Sequence, residues 1–243
     1  MNKHCTRFSD ISTSEKILNT VFLLTITLGY IVALMNTYYS HQGRDGKRGL
    51  SIDDIAIMYH GSYNQSRLET AINGIMEPNL KFKTDKEIIS KWIHKGAEET
   101  TYQTEIAPIL NRDCAICHTP TINASLPDLS NYKGVKEVTH SGGAPLPSLV
   151  RVSHIHLFGI AFILYFIGRI FLLCDINIYV KRVAVVIPFI AMLLDVLSWF
   201  ITKALPEFAY VVVISGTLMG LSMGMQIIIS IYQMWLPVPQ KLS

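Results

Sequence analysis

Four apolar blocks constrain this chain before any other feature does. Residues 17–35, 154–173, 183–201 and 210–231 each reach the ~20 residues that a helix needs to cross ~30 Å of hydrocarbon. A bilayer core offers no water to backbone N–H and C=O groups, so blocks of this length are expected to be transmembrane helices that satisfy their own backbones. Half of the 243 residues are hydrophobic and the mean hydropathy is +0.33, an excess concentrated in those blocks, which excludes a wholly soluble globule. Between the first block and the second runs a polar, Gly- and Pro-punctuated stretch about as long as a small domain. Three parts are therefore expected: residues 1–36, an N-terminal anchor and first span; residues 37–152, a water-exposed domain; and residues 153–243, a three-helix transmembrane region.

Orientation follows from lysine and arginine in the short segments, because long loops cross membranes largely regardless of charge. Lys3, Arg7 and Lys16 precede the first span, Arg169, Lys181 and Arg182 surround the turn between the second and third, and Lys241 closes the chain. The loop at 202–208 offers only Lys203, so both termini are expected in the cytoplasm and the domain outside, in a bacterial-type inner membrane facing the periplasm. No small-x-small cleavage site follows the first block in Ala33-Leu34-Met35-Asn36, so it reads as an uncleaved signal anchor. Residues 36–153 hold 13 Lys/Arg against 13 Asp/Glu, and a domain without bulk charge has no means of steering nucleic acid.

Cys114-Ala115-Ile116-Cys117-His118 is the one strong motif. Two thiols three residues apart on a helical turn can each form a thioether to one haem vinyl group, while the adjacent imidazole rises against the iron as proximal ligand. With four Cys and eight His in 243 residues, such a pattern arises by chance roughly 0.2% of the time, so the spacing is specific. A zinc site would need more ligands, yet Cys5 and Cys174 fall on the cytoplasmic side, and a thioredoxin-like pair would need strand alternation that this segment lacks. The residues thus predict one covalent haem c on the outer face.

The stretch Tyr102-Gln103-Thr104-Glu105-Ile106-Ala107-Pro108-Ile109-Leu110 leading into the motif resembles the helix that precedes CxxCH in small cytochromes c. Asn73-Gly74-Ile75-Met76-Glu77-Pro78, followed by the segment from Thr84 to Ala97, resembles the methionine loop and final helix that normally close such a domain. Here they come first, so the resemblance implies a cytochrome c-like fold with permuted halves, bound to haem through Cys114, Cys117 and His118, with Met76 as distal ligand. The whole chain, with its CxxCH and Ser153-His154-Ile155-His156-Leu157-Phe158-Gly159, is also similar to a four-span bacterial membrane-protein family, a likeness that implies no reaction. The expected fold class is all-α, four transmembrane helices plus a small helical extracytoplasmic haem domain.

Local signals place the helices. Ser51-Ile52-Asp53-Asp54 caps one that ends before Gly61, Ser66-Arg67-Leu68-Glu69 another that ends at Gly74, and Thr84 with Glu87 a third that stops at Gly96. In the third, Ile88, Ile89, Trp92 and Ile93 form one apolar stripe, with Trp92 a core aromatic. Beyond His118 the periodicity lapses and Pro120, Pro127, Gly134, Gly142, Gly143, Pro145 and Pro147 predict an irregular wrap. Pro188 is expected to kink the third span, and Gly216, Gly220 and Gly224 leave one face of the last without bulk.

Alternatives to Met76 as sixth ligand are His154 or His156 at the membrane interface, the lone His60, His94 and His140, or an open iron. The choice sets function, because a thioether raises the reduction potential and an open site suits gas binding. Asp195 within a span is a functional candidate by default, expected to cluster with His154 and His156, whereas Arg169 snorkels. The expected function is that of an electron carrier or redox-complex subunit instead of an independent enzyme, relaying electrons to or from a membrane or periplasmic redox partner. The alternatives are a quinol-oxidising subunit and a haem gas sensor or assembly factor.

Overall fold

The computed structural model describes residues 7–62, 65–124 and 126–236; Lys3, Cys5 and Lys241, assigned above to the cytoplasmic side, lie outside them. In chain order the helices are α1 (Thr13–His41), α2 (Ile52–Tyr59), α3 (Arg67–Asn73), α4 (Asp85–His94), α5 (Glu99–Thr101), α6 (Ala107–Asp113), α7 (Pro120–Asn123), α8 (Tyr132–Val138), α9 (Leu146–Phe171), α10 (Ile178–Thr202) and α11 (Ala209–Trp235). Among the described residues there is no strand, so the protein is all-α. Four helices are long and apolar enough to cross a membrane: Thr13–His41, Leu146–Phe171, Ile178–Thr202 and Pro206–Trp235. It is a multi-pass membrane protein.

Each span starts ahead of its apolar block, because a helix needs no hydrocarbon once it is started and capped. The Ser12 hydroxyl accepts the Glu15 N–H at 3.2 Å and starts α1 before the apolar run begins. Pro147, whose missing N–H costs nothing in a first turn, sits at the start of α9 and carries it eight residues ahead of its block.

Two compact units emerge, one of residues 1–36, 147–200 and 210–243, the other of residues 37–146 and 201–209. The first is the helical bundle. Its core joins Leu23 of α1, Leu164, Ile167 and Phe171 of α9, Ala191 and Met192 of α10, and Met219, Met223 and Ile227 of α11. Gly220 admits the Tyr30 side chain so closely that a Cβ there would lie 2.0 Å from the phenol oxygen, whereas Gly216 and Gly224 face nothing within 4 Å. Of the three glycines, one is therefore used for close packing inside this chain.

Pro188 lies inside α10 and cannot donate to the carbonyl of Ala184, one turn earlier. Gln226 of α11, 1% exposed, supplies the missing donor: its Nε2 donates to the Ala184 oxygen at 2.9 Å, and the Ser222 hydroxyl reaches the same oxygen at 3.5 Å. A carbonyl freed in a place without water is thus satisfied from the neighbouring helix.

In the second unit, Ser51 and Ser66 form the expected capping boxes of α2 and α3 with Asp54 and Glu69. Thr84 does not. It has already turned helical at φ −67°, ψ −24°, with no side-chain capping bond, because its carbonyl instead accepts the N–H groups of Glu87 and Ile88. The stripe of α4 is also narrower than expected: Ile89 and Trp92 are buried and Ile93 packs beside them, but Ile88 is exposed, since position 88 is the outermost of the arc that 92, 89 and 93 occupy. Trp92 is core, its indole N–H bonded to the Glu98 carbonyl at 3.0 Å. It joins Leu68, Ile72, Tyr102, Ile106, Leu110, Leu129, Val135 and Val138 in one cluster. Three of these, Leu129, Val135 and Val138, lie beyond His118, the last two on α8, a helix absent from the expected irregular wrap. Asn131 makes it possible, its side-chain oxygen accepting the Gly134 N–H at 3.0 Å.

The loop at 201–209 belongs to this unit. His60 Nδ1 donates to the Lys203 carbonyl at 3.0 Å and the Lys203 ammonium donates to the Ala144 carbonyl at 2.8 Å. Residues 58–60 and 143–144 run against one another, with Gly143 so close to Tyr59 that a Cβ would sit 1.9 Å from its carbonyl oxygen.

Gln226→Leu should destabilise the bundle by about 1–3 kcal/mol, the cost of a buried carbonyl left without a donor. Adding Pro188→Ala returns an N–H to α10 and should recover most of that loss. Thermal unfolding in detergent, followed by circular dichroism for the single and double variants, checks both expectations.

Candidate functional site

The site is built at the end of α6. Pro108 has no N–H to give the Thr104 carbonyl, and the turn before it widens to π-helical over Tyr102–Ile106, closed by the Ala107 N–H on the Tyr102 carbonyl. Ile106, Ile109 and Leu110 bury one face of this stretch in the core. At the other end the N–H groups of Cys114 and Ala115 both fall on the Leu110 carbonyl at 2.8 Å, and those of Cys117 and His118 on the Cys114 carbonyl at 3.1 and 3.0 Å. The five residues of the motif are therefore coiled into consecutive turns instead of being extended.

Both thiols are free. Cys117 is exposed, whereas Cys114 is half-buried against the apolar cluster. Burial, with the Asp113 carboxylate adding to it, pushes the Cys114 thiol up to about 11.

His118 Nδ1 lies 3.1 Å from the Pro127 carbonyl. A carbonyl can only accept, so Nδ1 carries the proton and Nε2 presents its lone pair. The backbone holds the same geometry from the other side, as the Leu129 N–H donates to the His118 carbonyl at 2.9 Å. A partner on the distal nitrogen that fixes tautomer and ring orientation is the support a metal-ligating histidine needs. Among the described residues no group of three His, Cys, Asp or Glu side chains converges into a metal cage. A haem iron does not need one, because the macrocycle supplies four nitrogens and the protein only axial ligands. Exposed Ile116, Ile122 and Leu126 add apolar surface in the same segment. The donor set and its surroundings fit a haem.

Met76 caps a 3₁₀ turn, Glu77–Asn79, and its sulfur accepts from the Asn79 amide at 3.6 Å. Its segment is tied to the motif through charge. Asp113 accepts the Lys81 N–H at 3.0 Å, and Arg112 donates to Asp113 at 2.7 and 2.6 Å and to Asp85. Arg112 also lies 5.0 Å above the Phe82 ring, and its hydrogen bonds hold the Asp113 carboxyl below the usual carboxylate range. Neither Arg112 nor Asp113 stands out in the sequence by spacing. A charged pair placed directly before the first cysteine of the motif was the available signal. Pro127 was visible only as a break in periodicity, since nothing in a sequence marks which carbonyl an imidazole will find.

His94 and His60, weighed above as ligands, have other occupations. His94 Nε2 pairs with Glu69 at 3.0 Å and His60 is bonded to Lys203. In the bundle, the expected cluster of His154, His156 and Asp195 is not a direct one, as Trp199 stands between His156 and Asp195. His156 packs edge-on against Trp199 with ring centres 5.2 Å apart, and the Trp199 indole donates to Asp195 Oδ1 at 3.3 Å. His154 is exposed and meets Phe158 edge-on with ring centres 5.1 Å apart, because two residues on a helix turn it about 200° away from His156.

A family model described as a transmembrane helical domain matches residues 130–241. The matched stretch takes in α9, α10 and α11 and begins after the cysteine motif, so this similarity bears on the spans. No curated protein and no solved structure matches the chain.

The thiolate is the reactive form of a cysteine. With its pKa near 11, roughly one Cys114 in a thousand is ionised at pH 8, so in the haem-free chain iodoacetamide should modify Cys117 first. Since a raised thiol pKa withholds the thiolate until high pH, labelling of Cys114 should accelerate about tenfold per unit between pH 8 and pH 10 without levelling. Peptide mass mapping of timed samples measures both rates.

Proposed function

We propose that the protein is a membrane-tethered c-type cytochrome that relays single electrons through one haem, covalently held at Cys114 and Cys117, with His118 as proximal and Met76 as distal ligand. The observation that carries this reading is the His118–Pro127 hydrogen bond directly beside two free thiols. Either feature alone has other uses; together they are a pre-oriented imidazole and the two attachment points of a haem.

Attachment needs no oxidant. Each thiol adds across a vinyl group, its sulfur bonding to one carbon and its hydrogen passing to the other. When bound, the haem supplies an iron that takes up and gives back one electron. This chain's residues do the rest. His118 is held as the Nδ1–H tautomer, the half-buried Cys114 fixes one edge of the site against the apolar cluster, and the same cluster keeps water from that edge. Tethering to four spans holds the domain at high effective concentration near its partner, a membrane or periplasmic redox enzyme. On this reading the domain lies on the periplasmic side of a bacterial inner membrane, where covalent haem attachment takes place.

A second reading, a subunit that oxidises quinol and passes the electrons to the haem, draws support from the His156–Trp199–Asp195 group within the bundle, since a carboxylate inside a span is costly to keep. Reduction of the isolated protein by a quinol analogue separates the two.

Covalent attachment is the decisive test. After acid-acetone extraction of protein made in a cell competent for cytochrome c maturation, the haem should stay with the polypeptide. Cys114→Ala/Cys117→Ala should lose it entirely, and a full complement of covalent haem in that variant would overturn the proposal.

A further inference from the structure

Besides sharing the apolar cluster, two halves of the domain meet at charged groups immediately beside the cysteine motif. Asp113, 5% exposed at its side chain, takes the Lys81 backbone N–H and two bonds from Arg112. Arg112 reaches across to Asp85, whose side chain is 7% exposed, and covers Phe82. One residue further, the Lys86 ammonium donates to Glu77 at 2.7 Å, and Glu77 follows Met76 in the chain. Asp113 and Arg112 thus hold the backbone at Lys81 and the carboxylate of Asp85, and Lys86, next to Asp85 in the chain, holds Glu77, the residue after Met76. Planar guanidinium groups fix their partners in direction as well as distance.

We propose that Arg112 and Asp113 are positioning residues: a clamp by which the haem-binding turn sets the place of the 76–86 segment, and so brings Met76 to the iron. This rests on the cytochrome reading and adds to it the residues that determine the distal ligation. The chain has reason to need such a device. Met76 precedes the motif by 38 positions, and the 3₁₀ turn that bears it has no buried residue of its own, with Leu80 at its end partly buried against the apolar cluster. The clamp is also indifferent to whether haem is present, since every contact in it is between protein groups.

The test uses the full-length, haem-loaded protein with Arg112→Ala, Arg112→Lys and Asp85→Asn. Arg112→Ala and Asp85→Asn should keep their covalent haem but lose the charge-transfer band of thioether-ligated ferric iron, shift to a lower potential, and bind carbon monoxide at least tenfold faster than the wild type. Arg112→Lys keeps the charge without the planar fork and should recover part of the band. A second readout needs no haem. In the Cys114→Ala/Cys117→Ala chain, adding Arg112→Ala should speed amide hydrogen exchange across 76–86 at least tenfold while leaving α8 unchanged.

Full covalent haem with an unaltered band, potential and carbon monoxide reactivity in both Arg112→Ala and Asp85→Asn would overturn the clamp, as would a wild type that holds covalent haem without the thioether band. A wild type without covalent haem would sink the parent reading instead. In that case the exchange experiment alone decides whether Arg112 holds the segment, and unchanged exchange overturns it.

Discussion

Backbone hydrogen bonding in a medium without water is the constraint on which the rest of this structure depends. A chain that crosses hydrocarbon must give every N–H and C=O a partner from within the protein, and here four long helices do so. Irregular backbone is thereby kept to the ends of the spans and to residues 37–146 and 201–209, where turns, a π-helical segment and charged contacts can exist. Pro188 is the informative exception. It breaks the ladder inside a span, and Gln226, a residue with a cost of its own in an apolar bundle, is placed to meet the carbonyl that the proline frees.

Outside the spans the governing problem changes from satisfying the backbone to finding enough core. The apolar cluster of the domain is assembled from short pieces, and small domains bury a smaller share of their surface than large ones. Charged contacts carry part of the load. The pairs of Arg112 with Asp85 and Asp113 are half-buried or better on the acidic side, a setting in which an ion pair gives directional hold more than net stability. Cys114 stands where the two kinds of support meet, packed on the cluster at one side and next to Asp113 on the other.

How much of this the sequence disclosed follows the range of the interactions. Apolar length announced the four spans, because hydropathy is a property of each residue and simply accumulates. Ser51 and Ser66 announced their capping boxes, since a cap is settled within four residues. Thr84 carries the same signature and does not cap, because the carbonyl next to its hydroxyl can meet the same first-turn donors, and sequence gives no measure of that competition. Asn131 was missed for the converse reason: Gly and Pro around it signalled irregularity and hid a helix only seven residues long. The cysteine motif was legible as spacing, but the Pro127 carbonyl, nine residues beyond His118, and the Lys81 N–H, thirty-two before Asp113, are contacts of backbone groups. Every residue has those groups, so no residue type marks them.

The histidines show why such invisible contacts carry the functional argument. Side-chain identity alone leaves His60, His94, His118, His154 and His156 equivalent, since each offers the same ring. Their partners separate them. His94 faces a carboxylate through Nε2, which occupies the nitrogen a metal would want. His60, His118 and His156 all give Nδ1 to a backbone carbonyl, so all three present Nε2 as an acceptor. For His156 the carbonyl is that of Val152, four residues back on its own helix, and its ring face is taken by Trp199; for His60 it is the Lys203 loop. Only His118 combines that tautomer with two thiols at the spacing of a haem's vinyl groups. The same hydrogen bond that is ordinary elsewhere in the molecule becomes, beside Cys114 and Cys117, the feature on which the proposed haem ligation rests.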